Sequence, residues 1–526
     1  MLPKKLRFLH PYLHFTGLLL MVAGLPFAKI LMSLSQFFIG GNWILEGNFR
    51  EKWQRLKSNP KAWMLMGIFL MLLPGLLYSE DLPNAMKQLR INLPLFIFPF
   101  VLGSTQPLKN SWYHLLIRLF ILSVTLATIA CSMWGLSRWL NAEFSDIRKI
   151  SIFISHIRFA LLISLAILLG FWILLYKPYR FFKGERFLLI AAMIWMFAFL
   201  FILQSISGIV IITVVSTVWI ISLVLKKWSR RGIIAFTASL ALLIAFVGFS
   251  AYKAYHDFFT PAEIYKHKLP EKTALGNPYT HDLTVIENGH YVYSFLNRRE
   301  LVMAWRKRSD YSIDSLDGKG NLTYATLVRF LNSKGLTKDD AGVNALTEKE
   351  IHYITKGIAN VNYTGLWGVR MRFYQLLWEL GYLKRGSTEG TGHTVVMKLE
   401  FLRNAVMIIG EHPILGVGIG DVKNTFIEHY ERINSWLAPK WRMTCHNQYL
   451  YIGVAAGIPG MLLFLFLFFA PLRGERYIPL LVFAAIAAIS MLPEDTLTTQ
   501  EGVSFVAFFY SFFLFSRGRG DSSGSS

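Results

Sequence analysis

The chain predicts an all-α polytopic membrane protein, with about twelve transmembrane helices and one large, mainly helical outer loop between the ninth and tenth. Three observations carry that prediction. Hydrophobic residues make up 54% of the 526 and charged residues only 16%, well below the roughly 25% of a soluble domain. Apolar runs of the ~17 to 25 residues needed to cross a bilayer recur along the chain. The net charge of +22 is also unevenly placed: residues 253–442 hold 25 Lys/Arg against 20 Asp/Glu, or +5, so +17 falls outside them, mostly in short connections between apolar runs. Basic short loops set orientation in a membrane, so the charge argues for a bilayer and against nucleic acid as a partner.

In order, the runs lie near 9–25, 27–46, 62–79, 92–107, 112–137, 158–176, 187–204, 207–225, 232–252, 448–471, 477–493 and 502–516. The organisation is therefore 1–252 (nine helices), 253–447 (the outer loop), 448–516 (three helices) and a tail at 517–526. With a cytoplasmic N-terminus, the basic groups at Arg50 to Lys61, Lys177 to Arg186, Lys226 to Arg231, Arg473/Arg476 and Arg517/Arg519 all fall inside. Both termini are then cytoplasmic. The 253–447 segment and the acidic connections Ser79-Glu80-Asp81 and Pro493-Glu494-Asp495 lie outside, where no ATP or nucleotide sugar is available. Chemistry there needs a substrate that arrives already activated.

Within the outer segment, Thr323 to Asn332 has helical apolar spacing, and Thr347-x-x-Glu350 is a capping box before Ile351, Ile354 and Ile358. Asp317-Gly318-Lys319-Gly320-Asn321 reads as a turn, because no glutamate closes a calcium loop at the required distance. Val396 to Ile409 is amphipathic but too short and charged to span, so it is expected to lie on the membrane surface. Gly416-Val417-Gly418-Ile419-Gly420 follows a helix, not a strand, and reads as a glycine-rich link.

Cations on the outer side break the orientation rule and so carry information: Lys87, Arg90, Arg138, Arg148, Lys149 and Arg158. Arg158 opens directly into an apolar helix, where a guanidinium marks a partner or a substrate path, or snorkels to headgroups. Arg370 and Arg372 add a guanidinium pair in the outer loop. Arginine forks suit phosphate oxygens, so Arg158, Arg370, Arg372, Arg90 and Lys87 are candidates for holding a lipid-anchored pyrophosphate, each with a plain surface role as the alternative. His446, at the mouth of the tenth helix, is suited by its pKa of about 6.5 to take a proton from a hydroxyl, or is a structural polar residue. Asn447 is expected to orient it or to hold an acceptor. Glu494 and Asp495, on the same side, either polarise the histidine and bind the acceptor or mark a helix end.

Two elements carry a family resemblance. His446-Asn447, nine residues and then Gly457-Ile458-Pro459-Gly460, together with the upstream Glu411-His412-Pro413-Ile414-Leu415-Gly416-Val417-Gly418, resemble the O-antigen ligase and polymerase family. The resemblance implies a metal-independent, cofactor-free, inverting glycosyl transfer at the periplasmic face of the bacterial inner membrane. It implies an undecaprenyl-pyrophosphate-linked glycan as donor, lipid A-core or a growing glycan as acceptor, and His446 as the base. Many members place an arginine in a Ser-Arg-Gly-like helix start where this chain has Ser205-Ile206-Ser207-Gly208, and Arg158 is expected to serve instead. Ligation, polymerisation and protein O-glycosylation share this chemistry. A transporter or lipid flippase is the rival class, but it calls for ionisable groups at the bilayer midplane. Here the apolar runs are nearly free of acids.

Overall fold

A computed structural model describes residues 8–140, 147–227, 245, 248–364, 374–381 and 394–518. The chain divides into two compact units, one formed by 1–221 with 397–526 and the other by 222–396.

The first unit is helical. Among the described residues seven helices are long and apolar enough to cross a membrane: Pro60–Leu77, Leu82–Ser104, Asn110–Arg138, His156–Tyr176, Glu185–Ile202, Ile206–Leu223 and Gln448–Leu472. Ile478–Ser490 and Gln500–Phe515 are shorter apolar helices. His10–Phe27 and Lys29–Glu46 occupy the first two expected runs as a helical pair, with Ser35 donating to the Gly17 carbonyl at 2.6 Å and His10 Nδ1 2.8 Å from Asn42 Oδ1. The expected span at 232–252 lies largely outside the described residues.

One boundary differs from expectation. The run near 92–107 starts a full ten residues earlier, at Leu82, because Asp81 caps Leu82–Asn92 by accepting from Asn84 N at 3.0 Å. Lys87 and Arg90 are therefore exposed residues on a helix rather than parts of a loop.

His156–Tyr176 and Gln500–Phe515 form the centre of the first unit. Both are apolar on every face, and a helix of that kind has to be buried. Their side chains are hidden along almost the full length, with Phe505, Phe508, Phe509, Phe512 and Phe513 interleaved in one aromatic column. Each of these two helices carries a buried charge in its first turn, Arg158 and Glu501 respectively.

The second unit adds a β-hairpin to the mainly helical outer segment expected from the sequence. Thr280–Glu287 and His290–Leu296 pair antiparallel through an Asn288-Gly289 turn with φ of 56° and 76°. Both left-handed positions match a two-residue hairpin loop. Helices Arg298–Arg308, Thr323–Ser333 and Glu348–Thr355 pack a core of Leu301, Trp305, Leu327, Phe330, Leu331 and Ile354. The Thr347/Glu350 capping box forms as read from the sequence. Asp317 is a turn residue, its carboxylate accepting from Lys319 N, Asn321 N and the Thr326 hydroxyl.

Candidate active site

The helix that follows His446 is broken, and the break explains both recognised motifs. Gly457 sits at φ 70°, ψ −177° within Gln448–Phe469. Pro459 has no N–H, so the Ala455 carbonyl has no helical partner at that position. The chain segment Pro413–Gly418 supplies what is missing. Val417 N donates to Val454 O at 2.9 Å and Gly418 N to Ala455 O at 3.0 Å, while Ile458 N donates to Pro413 O at 2.8 Å. Irregular backbone at membrane depth is tolerated only when its polar groups are satisfied in this way. A Cβ on Gly457 would stand 2.3 Å from Ile414 O, and one on Gly416 2.5 Å from Ala455 C. The glycine-rich link is thus a backbone splice, and its N–H groups at Gly416, Val417, Gly418 and Gly420 are all taken up inside the protein.

At the start of this helix Asn447 is the N-cap. Its side chain accepts from Leu450 N at 2.9 Å and donates to Leu492 O at 2.9 Å. One end of the amide caps its own helix and the other ties the helix mouth to the 491–499 connection, which leaves Asn447 placing its neighbour rather than reaching for an acceptor. That neighbour, His446, has φ 47°, a left-handed backbone that costs a non-glycine residue about 1–2 kcal/mol. Strain of this size persists where the surroundings enforce it, and it often accompanies a functional side chain.

The twist sends His446 Nδ1 toward the carboxylates. It is 3.6 Å from Asp495 Oδ1 and 3.9 Å from Glu494 Oε2, and it is buried with no hydrogen bond at shorter range. The remaining quarter of the side chain is exposed, which leaves Nε2 as the accessible nitrogen. Phe401 packs against the ring, with centroids 5.7 Å apart. The Asp495 carboxylate is the largest influence on the imidazole and raises its pKa above 6.5, against the opposite pull of burial. Burial would raise Asp495 itself, but His446 and the Thr444 hydroxyl, 3.1 Å away, together hold it below its usual value. Glu494 goes the other way, raised chiefly by burial. Two adjacent carboxyls pushed in opposite directions are suited to different tasks. Cys445, next in the chain, is pushed up to about 12 by burial and stays a thiol.

The 491–499 connection is the hub. Besides Asn447 and His446, it receives Arg158, whose Nη1 donates to Thr496 Oγ1 at 3.4 Å, and Lys398, which donates to Pro493 O at 3.3 Å and lies 4.0 Å from Glu494. Leu497 N donates to Gln448 Oε1 at 2.6 Å. Helix Leu82–Asn92, bearing Lys87 and Arg90, packs against Thr496–Thr498. The structure therefore gathers His446, Asn447, Glu494, Asp495 and Arg158 at one place, with the Lys87/Arg90 helix against it. Arg158 is 8% exposed, so its guanidinium is largely withdrawn from water, bonded to Thr496 next in the chain to the two carboxylates. Arg370 and Arg372 lie outside the described residues. Ser205 and Gly208, at the position of the absent arginine, adjoin the Arg158 helix: Ser164 on that helix donates to Gly208 O at 3.4 Å, and a Cβ on Gly208 would meet Ala160 at 2.9 Å.

Two participants escape a sequence reading. Lys398 looks like one of the charges spacing an amphipathic helix, and Thr496 is an unremarked hydroxyl after two acids. Their only signal is proximity to Glu494 and Asp495, in one case in the sequence and in the other only through the fold.

His446, Glu494 and Asp495 each offer a ligand atom, all within 4.8 Å of one another, a spacing that a divalent cation could also bridge. Residues 350–465 match the family model described as O-Antigen ligase, a segment that contains both motifs and His446. This match supports the O-antigen ligase family for the chain. No curated protein matches it.

Proposed function

Starting from that family match, we propose that the chain is a glycosyltransferase that moves a glycan from undecaprenyl pyrophosphate to an acceptor hydroxyl at the periplasmic face of the inner membrane. The observation that carries this is the His446–Asp495 pairing at a helix mouth. The Asp495 carboxylate, 3.6 Å from Nδ1, favours the proton on that nitrogen and so the tautomer in which Nε2 is unprotonated. Nε2 takes the acceptor's hydroxyl proton as that oxygen attacks the anomeric carbon. The bond to the pyrophosphate breaks on the opposite face, the leaving group departs with the electron pair, and the anomeric configuration inverts. Charge developing on the leaving oxygen calls for fixed cations. Arg158 is assigned that task, with Lys87 and Arg90 beside it and Arg370 and Arg372 as further candidates from the outer segment.

The orientation rests on charge: the end of the first unit opposite the site carries Lys61, Arg118, Arg473, Arg476 and Arg517, as a cytoplasmic end should. The imidazole and carboxylates are given proton work rather than a metal because Asp495 already accepts from Thr444, while Arg158 and Lys398 offset the two negative charges. Transfer to lipid A-core is the leading assignment for the acceptor. Polymerisation of repeat units and transfer to a protein hydroxyl use the same atoms.

The test is a gel of surface glycans from cells in which His446→Ala replaces the wild-type chain at equal membrane levels. Loss of ligated product supports the proposal, and persistence of that product refutes the role of His446. In cells lacking the protein, long undecaprenyl-linked chains accumulate if it is a ligase, and single capped repeat units if it is a polymerase.

A further inference from the structure

At the far end of helix His156–Tyr176, roughly 30 Å from Arg158 by helical rise, the connection to Glu185–Ile202 forms a concave pocket of about 460 Å³. Lys177, Arg180, Lys183 and Arg186 line it together with Tyr179, Phe181 and Phe182, and no acid is among the lining residues. We propose that this pocket binds the phosphate headgroup of an anionic bilayer lipid.

The loop is built rather than loose. Lys177 closes the first helix in a left-handed conformation with φ 46°, and Gly184 opens the next at φ 85°. The one nearby acid, Glu185, is buried and committed: it receives Arg118 Nε, the Tyr179 hydroxyl and Phe182 N, each at 3.0 Å. It locks the loop from behind and leaves the four cations of the pocket without an ion pair among the described residues. Phe181 lies under Arg186, whose guanidinium is 4.8 Å from the ring centroid, so that its fork is held on a rigid face. Two guanidiniums and two ammoniums around a concave surface match a phosphodiester, to which arginine binds through paired N–H groups.

The ligand has to be amphiphilic. Leu175, Phe182, Phe187 and Leu188 are exposed around the pocket, between 46% and 75%, and a headgroup still attached to acyl chains would cover them. Leu175, Phe187 and Leu188 belong to the two candidate spanning helices, so the rim of the pocket faces acyl chains, where the phosphate of a lipid is already positioned and a free one is not. Basic pockets at the end of transmembrane helices are suited to lipid headgroups of this kind, each nearby cation adding to the attraction. The orientation rule explains a basic loop, but not a pocket that excludes its own acid.

The experiment uses the full chain in nanodiscs of equal parts phosphatidylcholine and phosphatidylglycerol, with retained lipid identified by native mass spectrometry after partial delipidation. Wild type should retain phosphatidylglycerol selectively. Arg180→Gln with Arg186→Gln, which keeps Lys177 and Lys183 to orient the loop, should weaken that retention by about thirty-fold, the expectation for two phosphate-facing charges. Equal retention of both lipids by wild type, or unchanged selectivity in the double variant, overturns the site. Displacement of the retained lipid by inorganic phosphate overturns the lipid assignment in favour of a free anion. Should the double variant fail to insert, the lipid selectivity and phosphate competition of wild type still decide the matter.

Discussion

At the residue level, the proposed transfer turns on where the proton of His446 goes. The Asp495 carboxylate raises the imidazole above its ordinary 6.5, and only the neutral imidazole can act as base. Transfer should therefore rise with pH along an acid limb whose midpoint lies above 6.5. Asp495→Asn removes the main cause of the shift, so the midpoint should move to lower pH while the plateau rate falls, because the Nδ1 proton is no longer held in place. A pH–rate profile of the variant that keeps the wild-type midpoint would show that Asp495 does not act on His446. Asn447 belongs to a different category. As a cap, its replacement by Ala should cost about 1 kcal/mol of stability, and Asn447→Asp, which can still accept from Leu450 N but cannot donate to Leu492 O, should recover only part of it in thermal unfolding.

The element that decides the geometry is the interrupted helix Gln448–Phe469 with the segment that repairs it. Gly457→Ala puts a side chain at φ 70° and a Cβ 2.3 Å from Ile414 O, so the Pro413–Gly418 splice has to move. A loss of roughly 2 to 4 kcal/mol in unfolding, with activity falling in step, is the expected result. Near wild-type stability would mean that the splice is dispensable. This element also shows what a sequence can and cannot display. The apolar runs made the spans legible, because burial all round leaves a continuous hydrophobic signature, and His446, Glu494 and Asp495 could be placed on one side simply by counting spans. The pairing of Val417 and Gly418 with Val454 and Ala455 is backbone chemistry across nearly forty residues and leaves no periodic trace, only Gly416, Gly457 and Pro459. The Asn288-Gly289 hairpin has a readable signal in its turn dipeptide, but the strands flanking it alternate only weakly and their register is irregular. The fourth apolar run starts earlier than its hydrophobicity suggests because Lys87 and Arg90 interrupt the hydrophobicity without interrupting the helix.

Taken as a whole molecule, the first unit places polarity at its ends and little inside. Its two most buried helices begin at the site end with Arg158 and Glu501, the opposite end is ringed by lysine and arginine, and the acids of the site are collected on one connection. That distribution suits an enzyme working on a lipid-borne substrate at one membrane face better than a carrier with its binding site at the midplane. If the proton reading of the carboxylates is right, exhaustive chelation should leave transfer unchanged, whereas loss of activity on EDTA treatment and recovery with added divalent cation would assign His446, Glu494 and Asp495 to a metal instead. The most direct test is transfer in vitro: the full chain carrying His446→Ala, reconstituted with purified undecaprenyl-pyrophosphate-linked glycan and acceptor at the pH of the wild-type plateau. The rate should drop by at least about a hundred-fold, the worth of a positioned general base, while donor binding is retained. A rate within a few-fold of wild type would contradict the assignment of His446 as the base.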